Sequence, residues 1–85
     1  MSTKNDPGPF DAYAKAEPDE EYFVLLARDP DFEFFVRMWC HWRHRQIGYG
    51  VRPATEDEYA QIREAQACAS RGEAWGRVWR HKQET

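Results

Sequence analysis

Residues 29–48, DPDFEFFVRMWCHWRHRQIG, place the chain's largest hydrophobes and its densest basic cluster on one helical repeat. Few folds other than a helix packed on a helix accommodate such a stretch. Asp29 is a good N-cap and Pro30 suits the first helical position, where its missing N–H costs nothing. Asp31 and Glu33 follow on the first turn, while Arg43, His44 and Arg45 occupy the last, and both placements favour the helix dipole. Gly48 can close the helix in a left-handed conformation. Phe32, Phe35, Trp39, Trp42 and Gln46 recur every three or four residues, so one stripe is almost wholly aromatic. Phe34, Val36 and Met38 widen that stripe beyond what a single neighbouring helix would cover.

The partner for this helix is legible further on. Thr55 and Glu58 form a capping box, reinforced by Glu56 and Asp57, that opens a second long helix running to about His81. Ile62, Ala65, Ala69, Gly72, Gly76 and Trp79 follow a three–four spacing, and the middle four are small. Small residues on a seam admit bulky rings from a neighbour, so the two faces are expected to pack large into small. Gly72 and Gly76 each weaken a helix by up to about 1 kcal/mol relative to alanine. They leave open a break near Arg71 and Gly72, with a terminal segment beyond it that carries Trp75, Val78 and Trp79. Residues 47–54, IGYGVRPA, have the length and composition of a turn between antiparallel helices.

Upstream, residues 19–28, DEEYFVLLAR, are ambiguous. They can form a helix capped by Asp19 with Glu20 and Glu21 on its first turn, or a strand through the apolar run 22–26. A lone strand would need its mate from another chain, so a short helix is favoured. Residues 1–18 read as a flexible arm whose Phe10 and Tyr13 dock over the aromatic helix or on a partner. Residues 83–85 read as a disordered tail. The expected fold is one all-α domain over residues 19–82: a small helical bundle with a short helix and two long antiparallel helices. No apolar run approaches the roughly 20 residues of a membrane span and no signal peptide is evident, which points to a cytoplasmic protein.

The net charge of −3 conceals a segregation. Residues 1–35 hold three basic and nine acidic side chains; residues 36–54 hold Arg37, Arg43, Arg45 and Arg52 and no acid. An acidic total argues against a general nucleic-acid coat, although the local basic cluster keeps a small anionic contact possible. That alternative site is Arg37, Arg43, Arg45, Tyr49 and Arg52, where guanidinium and aromatic groups could clamp a phosphate or stack a base.

No catalytic or metal signature accompanies these features. Cys40, His41 and His44 spell C-H-x-x-H, and Cys68 and His81 could be imagined as further ligands, but a second tightly spaced ligand pair is missing. Cys40 and Cys68 read as reduced thiols on helices. A nucleophilic cysteine would need a third orienting group, and none is evident. The sequence implies no enzyme, metal or cofactor.

Taken together, residues 22–30, YFVLLARDP, then residues 36–39, VRMW, then Glu64, Ala65, Ala67, Cys68 and Ala69, then Ala74 and Trp75, carry a resemblance. The pattern, spanning residues 20–76, resembles small helical proteins of bacteriophages and proteobacterial prophages. Such proteins often have a methionine or an acidic residue where this chain has Arg71 and Gly72. The resemblance brings no activity. It implies a phage setting inside a bacterial host, where small accessory proteins commonly bind host machines, as anti-CRISPR inhibitors of host defence do. On that basis the expected function is a non-enzymatic protein-binding module directed at a host complex, such as a CRISPR surveillance complex or nuclease. Its acidic residues Asp19, Glu20, Glu21, Asp31 and Glu33 would mimic phosphate charge in a basic groove. A structural homo-oligomer, a homodimer in the simplest case, would instead hide the surplus aromatics at a symmetric interface.

Overall fold

A computed structural model describes residues 2–84. It contains three helices and no strand among them: α1 (Ala12–Lys15), α2 (Phe32–Gly48) and α3 (Glu56–Glu84). The all-α expectation holds, and the two long helices form an antiparallel hairpin. Phe32 lies against Gly72, Arg37 reaches Ser70, Cys40 faces Ile62 and Arg43 faces Glu58, so position along α2 rises as position along α3 falls.

The seam is narrow. Cys40, Ile62 and Ala65 are buried together with Val36, Trp39 and Ile47 against them, and Phe32 and Ala69 extend the core toward the open end of the hairpin. Large-into-small packing is therefore observed for Phe32, Val36 and Trp39. It fails for Phe35 and Trp42, which remain more than half exposed. The reason is angular: at 100° per residue, Phe35 and Trp42 point away from the arc that carries Val36, Cys40 and Ile47.

Several boundaries differ from those expected. Residues 19–28 form no helix; apart from one turn between Glu17 and Glu20, they run without regular hydrogen bonding until Asp29 donates to the Leu26 carbonyl. The short helix of the fold is α1, inside the arm, with its N-cap Asp11 accepting from the Tyr13 amide. Four residues are too few to sustain a helix alone, and α1 packs against neither long helix. The Tyr13 ring meets Tyr22 edge-on at 6.2 Å instead of docking over α2. Asp29 is not the cap of α2: its carboxylate accepts from the Asp31 amide in a turn, and the helix starts at Phe32. Gly48 is the last helical residue, and the left-handed conformation expected there falls on Gly50, at φ +78°.

At α3, the Thr55 hydroxyl accepts from the Glu58 amide at 3.2 Å, one half of the capping box. The other half is absent because the Glu58 carboxylate turns toward Arg43 and Arg52. α3 is unbroken through Gly72 and Gly76 and includes Gln83 and Glu84, which sequence reasoning put in the tail. At about 1.5 Å per residue its 29 residues overhang the 17 of α2 by more than 15 Å. The overhang is where the chain entering α2 is held. A Cβ on Gly76 would collide with the Ala27 carbonyl, Arg80 Nη1 donates to the Arg28 carbonyl at 3.3 Å, and the Arg28 guanidinium lies 4.8 Å from the Trp79 ring centroid.

Candidate interaction surfaces

The hairpin leaves an unusual amount of apolar side chain in solvent. The accessible surface of the whole chain, irregular residues before α2 included, is 6771 Å², against about 5300 Å² for a compact monomer of this mass. The radius of gyration is 14.4 Å, where about 12 Å would be ordinary for this length. Three surfaces account for the chemistry on offer.

The first is the segment before α2. Tyr22, Phe23, Val24 and Leu26 are all more than half exposed, Phe23 at 87%. Between Glu21 and Arg28 no backbone N–H donates a hydrogen bond within the described residues. Asp19, Glu20 and Glu21 precede this strip and are exposed; the Glu20 carboxylate accepts from the Glu17 amide. Of the other two expected acidic residues, Asp31 is exposed with no ion pair among the described residues, while Glu33 pairs with Arg37 at 3.1 Å. The five acids thus lie on two different kinds of backbone, an irregular segment and the start of α2, not on one helix face.

The second is the basic cluster. Arg43 and Arg52 flank Glu58, each at 3.7 Å, and Arg52 also donates to the Gln46 side-chain oxygen at 2.8 Å. Arg43 further lies 4.6 Å from the Trp39 ring centroid. Burial lowers its guanidinium pKa from the ordinary value, Arg52 lowers it further, and Glu58 opposes both. Arg45 donates to the Tyr49 hydroxyl and covers its ring, and Arg37 is divided between Glu33 and Ser70. Arg43 and Arg52 are brought together; Arg37 lies two turns away. Every one of the four arginines already faces an internal partner. Sequence reasoning missed Glu58 as the group between two of them, because its place in a capping box explained it fully.

The third is the outer face of α2. Phe34, Phe35, Met38 and Trp42 are at least half exposed, with the Phe34 and Phe35 rings edge-on at 5.4 Å. An open cleft of about 420 Å³ borders this face between Phe34, Met38 and Arg37 of α2 and Glu73 and Arg80 of α3. On α3, Trp75 and Val78 are also exposed, and Trp75 stacks on Trp79 at 6.4 Å.

The cysteine and histidine residues do not assemble. Cys40 turns into the seam, with its thiol 3.8 Å from the Ile62 carbonyl; burial raises its pKa, and Arg37 partly offsets the rise. His41 and His44 stay outside the core, and the His44 ring lies 6.3 Å from Tyr59. Cys40 and Cys68 are both free thiols. Among the described residues no group of three His, Cys, Asp or Glu converges on a point, and no helix is long and apolar enough to cross a membrane. No protein-family model, curated protein or solved structure matches the chain.

Proposed function

We propose that this protein is a non-enzymatic protein-binding module that presents residues 19–26 to its target. The observation that carries this reading is the strip itself: four large apolar side chains exposed close together, on backbone whose N–H groups are unsatisfied among the described residues. Such a strip can add to the edge of another protein's sheet, where main-chain hydrogen bonds supply affinity and alternate side chains supply selectivity. Asp19, Glu20 and Glu21 immediately before it favour a target whose edge adjoins a basic surface, and they would speed encounter with it. At the α2 start, downstream of the strip, Asp31 extends the negative potential, while Glu33 is compensated by Arg37 and would contribute only on leaving that ion pair. Basic grooves of this kind are built to hold nucleic acid. The proposed target is a bacterial defence complex, blocked at its nucleic-acid or partner site, a choice that rests only on the resemblance to small phage proteins read in residues 20–76.

Capture of a bacterial partner by the tagged full chain, followed by charge reversal at Asp19, Glu20 and Glu21 together, tests the reading. The expected result is a partner whose affinity falls steeply in the triple variant, more at low salt than at high. A partner bound equally well by wild type, by the triple variant and by Phe23→Ser would defeat it.

A further inference from the structure

The outer face of α2 has an internal symmetry that the strip before it lacks. Projected at 100° per residue, Phe34, Met38, Trp42 and Arg45 fall within an 80° arc, with Asp31 inside it and Phe35 at its edge. This arc lies opposite the one occupied by Val36, Cys40 and Ile47 against α3. Measured from Met38, Phe34 and Trp42 stand four residues to either side, and Asp31 and Arg45 stand seven to either side. The order acid, aromatic, methionine, aromatic, base is therefore complementary to its own reverse.

We propose that α2 pairs with α2 of a second copy of this chain, antiparallel about a two-fold axis at Met38. Phe34 then seats against the partner's Trp42, and Asp31 comes beside the partner's Arg45. A two-fold interface is self-complementary by construction, so each of these contacts occurs twice. Charge fixes the direction. A parallel pair would set Asp31 against its own copy and Arg45 against its own copy, whereas the antiparallel pair sets each against its opposite and also opposes the two helix dipoles. Among the described residues Asp31 makes no ion pair, and Arg45 contacts only exposed Tyr49 at the same end of the arc, a contact the guanidinium can give up to a partner's carboxylate. On this face Phe34, Phe35, Met38 and Trp42 are each at least half exposed, so a second copy has four large apolar side chains per chain to bury. This pairing uses a different surface from residues 19–26 and does not depend on the partner proposed for them.

Light scattering on the full chain over a concentration series reads the proposal directly. The expected species has twice the 10.1 kDa chain mass. Met38→Asp is expected to give a monomer with unchanged helicity, because Met38 is half exposed and lies outside the core. Asp31→Arg or Arg45→Asp alone should raise the dimer dissociation constant by about tenfold or more, and the two together should return it close to wild type. Met38→Cys in a Cys68→Ser background should cross-link on mild oxidation, while Cys68→Ser alone, its remaining Cys40 buried, serves as the control. A monomer at every concentration overturns the proposal. So does a dimer that Met38→Asp leaves intact, and a charge swap that fails to restore pairing overturns the antiparallel register.

Discussion

The Phe32 ring sits where the side chain of residue 72 would be. A Cβ placed on Gly72 would lie 2.8 Å from Phe32 Cδ1 and closer still to Cε1. The ring is nearly buried, and it closes the open end of a seam whose other members on α3 are Ile62, Ala65 and Ala69. Gly72 is thus the smallest step in a staircase of small residues. Its value lies in what it admits, since its effect on the helix itself is unfavourable.

Gly72→Ala weighs these two effects against each other. The helix gains up to about 1 kcal/mol from alanine. Forcing the ring aside in a packed seam costs about 1–3 kcal/mol. The net expectation is a loss of about 1 kcal/mol, seen as a lower denaturation midpoint at unchanged slope. Adding Phe32→Leu should recover part of it. Gly48→Ala, where a Cβ meets nothing within 4 Å, should be neutral or stabilising and is the matched control.

Gly76→Ala acts on backbone instead of a ring. The new methyl would meet the Ala27 carbonyl, which cannot rotate away as a side chain can. The expected outcome is release of the chain entering α2, as Arg28 leaves the Trp79 ring and Arg80 no longer donates to the Arg28 carbonyl. Limited proteolysis should then cut faster between residues 22 and 28 while helicity stays near wild type. Equal cleavage rates in the two proteins would show that Gly76 does not hold this segment.

How much of the fold is legible in the sequence depends on which residues are considered. The long helices, their antiparallel order and the packing of large side chains of α2 on a small-residue face of α3 follow from spacing and composition. Phe35 and Trp42 did not follow, because a stripe drawn through every aromatic residue is wider than the contact arc of one neighbour. The true contact arc passes through Cys40 and Ile47, which are less conspicuous than the aromatics. Residues 22–26 are as apolar as a core helix, and nothing local distinguishes a helix from an extended strip there. Tertiary anchoring decides it: Ala27 and Arg28 are fixed against Gly76, Trp79 and Arg80, some 50 residues away. The acidic and basic candidate residues were legible as charge but not as pairs, since Glu58 is distant in sequence from Arg43 and close to it in space.

Glu58 holds the turn of the hairpin by charge more than by hydrogen bonds. Its side chain is 20% exposed, both ion pairs are at 3.7 Å, and Oε2 makes no hydrogen bond among the described residues. Glu58→Gln removes the negative charge and leaves Arg43 and Arg52 facing each other in a partly buried site. The expected loss is about 1–2 kcal/mol, smaller than for a fully buried pair because solvent still screens Arg52. Raising salt should shrink the loss, and Glu58→Gln combined with Arg52→Gln should restore much of it, as denaturation at two ionic strengths would show. The single variant should also bind inorganic phosphate more tightly than wild type, since it frees the two guanidinium groups that Glu58 now compensates.

Cys40 provides the pH dependence. Burial raises its thiol pKa above the ordinary value of 9.0, so the folded protein holds its proton at a pH where the unfolded chain has lost it. The unfolded state then binds fewer protons, and stability falls as pH rises. The contribution is fully present below about pH 9 and is lost as pH climbs through the folded-state value. Cys40→Ala removes this titration, so the decline of stability above about pH 9 should be shallower in the variant, even if its stability at neutral pH is lower for the missing packing. In the native protein at about pH 8, iodoacetamide should label half-buried Cys68 well before Cys40. Labelling of both thiols at equal rates under native conditions would mean that the seam around Cys40 opens faster than its burial against Ile62 and Ala65 implies.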